Sequence, residues 1–279
     1  MTDSIDLITR RDQWVQHPQG RIFARRWHSA KQPAAGNPIV LLHDSLGYVE
    51  LWRDFPAALC QATGREVIAY DQLGFGHSDP RVELPSLDFV AEEAFVAEEA
   101  RDFFPQVCEQ LGVKCFAVLG HNVGGGMAIQ CAAEWTGRCE ALVTLAAQVF
   151  PEGRTLEGIR AAREHFRAPE QIERLARYHG GKARWVLDAW AENWLHPDFA
   201  VWSMVDVLPR VRCPTLAMHG EKDEYGSTRH PKLIGQHSGG PVRVEILSDI
   251  GHLPHREQPK TVLKMVSERL QTGSVSANC

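Results

Sequence analysis

The residues best placed to do chemistry are Asn122, Asp223 and His252, each set in a short glycine-bearing motif. Asn122 is the centre of Gly120-His121-Asn122-Val123-Gly124, which follows the apolar run "CFAVLGH" (115–121) and opens the helical stretch "VGGGMAIQCAAEW". A strand that turns sharply into a helix crowds the residues two before and two after its apex, and glycine at both positions removes the colliding Cβ. The apex backbone of such a turn is strained, often at positive φ, and Asn tolerates that conformation better than most residues. The frame is that of a GxSxG nucleophile turn, or of its Asp or Cys version, yet a carboxamide is not a nucleophile. Read structurally, Asn122 is a residue that fits the turn. Read chemically, it stands where an attacking atom is expected.

Asp223 follows an apolar run in "MHGEKDEYG", and His252 follows the last such run in "LSDIGHLPH". Both therefore emerge at strand ends, beside the elbow. A lone His is more often structural than catalytic, but an Asp, a Gly-His and an elbow in matching frames reverse that preference. A fourth segment, "LLHDSLG" (41–47), is either a tight turn that needs Gly47 or a loop whose backbone N–H groups face the apex.

These motifs need a scaffold that brings strand ends together. Continuous apolar runs of the kind a strand buried on both faces shows recur at 39–44, 65–71, 115–121, 140–147, 213–220 and 242–248. Helical stretches at 52–62, 86–111, 124–135, 229–237 and 257–271 separate most of them. Alternation of this kind predicts an α/β fold with a mostly parallel sheet and helices on both faces, its site at the carboxyl ends of the strands. The start differs: "DQWVQHPQGRIFARRWHS" (12–29) predicts a β-hairpin about Pro18-Gln19-Gly20. The alternation breaks over 150–208, where three helices follow one another with no strand between. The expected organisation is thus core over 1–149, a helical lid over 150–208 and core again over 209–279.

Bulk composition excludes several function classes. A net charge of −5 gives no electrostatic reason to expect nucleic acid or an anionic membrane as partner. No stretch approaches the roughly 20 apolar residues of a spanning helix, and the first residues carry no apolar leader, so a cytoplasmic location is expected. Seven cysteines without a CxxC pair suit reduced, mostly buried thiols and offer no zinc spacing. No metal and no cofactor are expected; the partners are a small-molecule substrate and, at most, a second copy of the chain in a homodimer.

Five motifs in order, "LLHDSLG", "YDQLGFGHSDP", "GHNVGG", "HGEKDEYG" and "DIGHLPH", resemble the α/β-hydrolase superfamily over essentially residues 12–271. Closest in character are bacterial hydrolases with a small helical lid. The resemblance implies an α/β-hydrolase fold in which Asp223 orients His252 as general base, 29 residues apart. It also implies an oxyanion hole in which Ser45, and Leu46 beside it, join Val123. Two departures stand out: Asp44 where the family commonly has Gly, and Asn122 where it has Ser, Asp or Cys.

Four readings of Asn122 follow. His252 and Asp223 act as a base dyad on water or substrate, as in hydrolysis of an ester or C–C bond, or in cofactor-free oxygenases and lyases. Asn122 replaces a Ser, or replaces the Asp of a dehalogenase-like or epoxide-hydrolase-like ancestor. Otherwise the pocket only binds a ligand. Ser45 is a stand-in nucleophile to watch, and Ser78 reads as a turn residue. Four tryptophans, Trp185, Trp190, Trp194 and Trp202, fall in the lid; at least two pack on the sheet, while the others wall an apolar pocket. The expected substrate is small and largely apolar, with a carbonyl.

Overall fold

A computed structural model describes residues 8–31, 33–81 and 95–272. The apolar runs form one eight-stranded sheet: β1 (Ile8–His17), β2 (Gly20–Ser29), β3 (Ile39–Leu42), β4 (Val67–Tyr70), β5 (Phe116–His121), β6 (Cys139–Leu145), β7 (Thr215–Gly220) and β8 (Val242–Leu247). The spatial order is β1-β2-β4-β3-β5-β6-β7-β8. β1 and β2 form the expected hairpin, and β2 joins β4 antiparallel; every later pairing is parallel. The sheet is therefore mostly rather than wholly parallel, because β1 and β2, joined by a two-residue turn, must run antiparallel, whereas the later parallel strands are joined by longer crossovers. Residues of β3, β4, β5 and β7 are buried throughout, as strands covered on both faces must be, whereas the edge strand β8 is half-buried and its run is correspondingly less apolar.

The covering helices are α1 (Phe55–Thr63), α2 (Phe95–Glu98), α3 (Phe104–Gln110), α4 (Val123–Glu134), α5 (Gly153–His165), α6 (Pro169–His179), α7 (Ala183–Leu195), α8 (Arg229–His237), α9 (Pro254–Glu257) and α10 (Pro259–Thr272). The single helix expected over 86–111 is described only from Phe95, and there a π-helical turn, Glu99–Phe103, divides it into α2 and α3. Residues 86–94 and the tail beyond Thr272 lie outside the described residues. Two cores sandwich the sheet: α4 with Phe103, Phe104 and Phe116 on one side, and α1 and α10 with Trp52, Phe55 and Val266 on the other. The chain runs from β3 outward to β4 and then returns to β5 on β3's other side. The loops after β3 and β5 therefore diverge, leaving a crevice at the strand ends. Cys60, Cys108, Cys131, Cys139 and Cys213 are buried and free, and Cys115, just before β5, is buried as a core residue.

Candidate active site

The turn from β5 into α4 is the sharp one that the glycines anticipate. Asn122 sits at its apex with φ 54° and ψ −119°. A Cβ on Gly120 would lie 1.9 Å from the Gly124 carbonyl oxygen, and one on Gly124 would lie 2.3 Å from the carbonyls of Leu42 and His43. Only glycine allows β5, α4 and the loop after β3 to approach so closely. Hydrogen bonds from Asn122 N to Leu145 O (3.0 Å) and from Gly125 N to Asn122 O (2.9 Å) hold the strained apex.

The apex side chain joins two features that sit on different elements. Asn122 Nδ2 donates to His252 Nε2 at 2.7 Å, and Asn122 Oδ1 accepts from Val123 N–H at 2.5 Å. The Ser45 hydroxyl donates to the same Oδ1 at 3.4 Å. The other ring nitrogen of His252 lies 2.9 and 3.0 Å from the Asp223 oxygens, so Nδ1 carries the proton and Nε2 presents a lone pair to the apex. Asp223 itself is buried and accepts from the backbone N–H groups of Tyr225 (2.8 Å) and Gly226 (3.2 Å), while His219 Nε2 stands 3.2 Å away. Burial by itself would raise the Asp223 pKa; the hydrogen bonds from His219 and His252 override it and hold the carboxyl well below the usual carboxylate range. His252 therefore faces a fixed negative charge, which orients the ring. The chemistry available is proton abstraction at Nε2 next to a backbone donor that can hold an oxyanion.

Two cavities meet at this point. One, a cleft open to solvent, is lined by Ser45, Leu46, Asn122, Tyr225, His252 and Trp190 among others. The second is narrow, adjoins Val123 and is walled by Leu73, Phe75, Met127, Trp185, Trp190 and Trp194. Ser45, Trp190 and Trp194 line both. The structure thus brings together Asn122, Asp223, His252, Ser45 and Val123 at the apex. Trp185 reaches only the second cavity, packed on Gly74, and Trp202 packs in the core against Phe199. Leu46 contributes its carbonyl, which accepts from His179 Nε2 of α6 at 3.2 Å.

Arg184 pairs with Asp188 one turn along α7, and His196 Nδ1 accepts from Asp198 N–H; neither lines either cavity. Ser78 accepts from Phe23 N–H and donates to Asp71 O, the turn role read from its sequence. The Asp44 carboxylate lies against Gly47 and 3.7 Å from His121 Nδ1. Sequence reasoning missed Tyr225, whose ring stands 4.8 Å from that of His252, and His219, the second imidazole on Asp223. Both lie in the "HGEKDEYG" motif, but spacing within a loop does not reveal which side chains turn inward. It also missed Glu99, a buried carboxyl in the second cavity that burial pushes up to about 7.

A model of the alpha/beta hydrolase fold matches residues 37–184. The human serine hydrolase BPHL is 29% identical over 215 residues, spanning 74% of this chain and 69% of that protein. Human 1-acylglycerol-3-phosphate O-acyltransferase ABHD5 is 34% identical over 120 residues, 41% of this chain and 31% of that protein. Among solved structures, a serine hydrolase from the polyaromatic-hydrocarbon-degrading bacterium Cycloclasticus zankles superposes with a TM-score of 0.77 at 13% identity, covering 96% of this chain and 100% of its own. The 2-hydroxy-6-oxo-6-phenylhexa-2,4-dienoate hydrolase of Rhodococcus sp. strain RHA1 gives 0.73 at 15% identity, covering 95% and 100%. At such identities the structural likeness speaks for the backbone alone.

Proposed function

Because the chain belongs to the α/β-hydrolase fold family, we propose that it hydrolyses a small, largely apolar carbonyl compound, an ester or a ketone-activated C–C bond, with His252 and Asp223 as a base dyad acting on water. The observation that carries this reading is the line from Asp223 through His252 Nδ1 to Nε2, aimed at the apex of a cleft walled by tryptophan. Residues 150–208 serve as the lid, since α5 and α7 supply Thr155, Ile159, Trp190 and Trp194 to the cleft walls. In the resting site the Val123 N–H is taken by Asn122 Oδ1. A substrate carbonyl has to displace that oxygen, after which the backbone donor holds the developing oxyanion and His252 Nε2 takes a proton from the attacking water. Asn122 then positions rather than attacks.

The test compares His252→Ala with Asn122→Ala on p-nitrophenyl esters and on 2-hydroxy-6-oxo-dienoates of the kind named for the Rhodococcus neighbour. Loss of the base should cost about 100-fold or more in kcat, whereas loss of the carboxamide should cost about tenfold or less. Equal losses from the two variants would count against the dyad. Absence of turnover across both substrate classes would count against hydrolysis of this kind.

A further inference from the structure

We propose that the chain hydrolyses the side-chain amide of its own Asn122 and so converts that residue to aspartate. The inference rests on reading His252 and Asp223 as a base dyad, and extends it from a bound substrate to the apex itself. Amide hydrolysis requires a donor on the carbonyl oxygen, a proton carrier at the nitrogen and a path for water. Asn122 Oδ1 already lies on the Val123 N–H at 2.5 Å, with the Ser45 hydroxyl at 3.4 Å. That donor begins the twelve-residue helix α4, whose aligned peptide dipoles favour negative charge at this end. Asn122 Nδ2, the leaving nitrogen, lies 2.7 Å from His252 Nε2. Asn122 also lines the solvent-open cleft, which admits water. The groups that would act on a substrate carbonyl are therefore disposed about the carboxamide of the apex residue.

Water is the only co-reactant. Its oxygen bonds to Cγ while one of its protons passes to His252 Nε2, and the negative charge gathers on Oδ1 against Val123 N–H. The Cγ–Nδ2 bond then breaks as Nε2 returns the proton to nitrogen. Ammonia departs and takes up the proton of the new carboxyl group, so the products are an aspartate carboxylate at the apex and ammonium, with no change of oxidation state. The alternative route to the same residue, attack of the next backbone nitrogen on Cγ to form a cyclic imide, is opposed by the geometry. Val123 N–H points at Oδ1, and Val123 is held in the first turn of α4. The consequence is chemical: a carboxylate at the apex is a nucleophile where a carboxamide is not.

The experiment follows residue 122 by peptide mass spectrometry in the freshly purified full-length chain during incubation at neutral pH, in ordinary and in heavy-oxygen water. The expected result is time-dependent replacement of the amide mass by the acid mass, one heavy oxygen incorporated, ordinary aspartate as the only product, and no conversion of chain unfolded in urea. His252→Gln and Asp223→Asn should slow conversion about 100-fold, with circular dichroism confirming that each variant is folded. An unchanged amide mass, isoaspartate as product, or conversion at the parental rate in the folded His252→Gln protein each overturns the inference. Conversion without turnover of ester or dienoate keeps it and sinks the substrate reading. Turnover by protein whose Asn122 remains an amide does the reverse.

Discussion

One carboxamide at position 122 occupies two sites that a shorter side chain would leave open, the backbone N–H of Val123 and the lone pair of His252. Replacing it by Ser frees Val123 N–H and puts a hydroxyl within reach of an already oriented base. Asn122→Ser should therefore raise p-nitrophenyl ester turnover by about a thousand-fold, and stopped-flow absorbance should show a burst of p-nitrophenol before the steady state. A variant no more active than the parent would contradict the placement of His252 as base. At this scale Asn122, Asp223 and His252 could be singled out from their motifs, because strained turns and strand ends leave glycine signatures. Tyr225 and His219 could not, since nothing in a polar loop marks which rings fold against a neighbouring carboxylate.

Among the elements, the elbow and the helical insertion make different demands. A methyl group at Gly120 meets the Gly124 carbonyl, which α4 cannot move without losing its register on β5. Gly120→Ala should lose about 3 kcal/mol in urea unfolding, at the upper end of overpacking costs, and a loss under 0.5 kcal/mol would show that the turn is looser than described. The helical insertion is tied down at its middle. Lys182, between α6 and α7, donates through Nζ to the carbonyls of Phe75, Gly76 and Ser78, and His179 bridges Gly76 N–H and Leu46 O. Lys182→Met removes hydrogen bonds from a half-buried ammonium, each worth about 1.5–3 kcal/mol when charged. Hydrogen exchange over 153–195 should accelerate about tenfold or more while amides of β5 and β6 are unaffected. Uniform acceleration would instead indicate global destabilisation. The helices of this insertion were predictable from their periodicity, but the clamp was not, because His179 and Lys182 meet partners about 100 residues away in the chain.

For the molecule as a whole, buried histidines set the response to acid. Burial holds His121, His179 and His230 at about 4, below their ordinary 6.5. The unfolded chain therefore binds more protons than the folded one between these values, so their contribution to stability is complete above pH 6.5 and is lost as pH falls towards 4. Glu99 opposes them: raised by burial to about 7, it favours the fold at low pH and loses that contribution as pH rises from 4.5 through 7. Three groups against one leave a net loss on acidification. The thermal midpoint should fall by on the order of 5 °C between pH 6.5 and 5; a midpoint constant over that interval would mean that these histidines are not buried neutral. The sequence by itself determined the α/β class, the alternation of buried strands with helices and the glycine-framed apex, because periodicity, apolar run length and steric exclusion of Cβ are local properties. Only the tertiary structure decided that Asn122 bridges His252 to Val123, that Trp190 and Trp194 rather than Trp202 wall the cleft, and that Glu99 is buried. Those facts depend on which strand ends the crossovers bring together, and hydrogen bonding and desolvation act between groups that the chain separates by scores of residues.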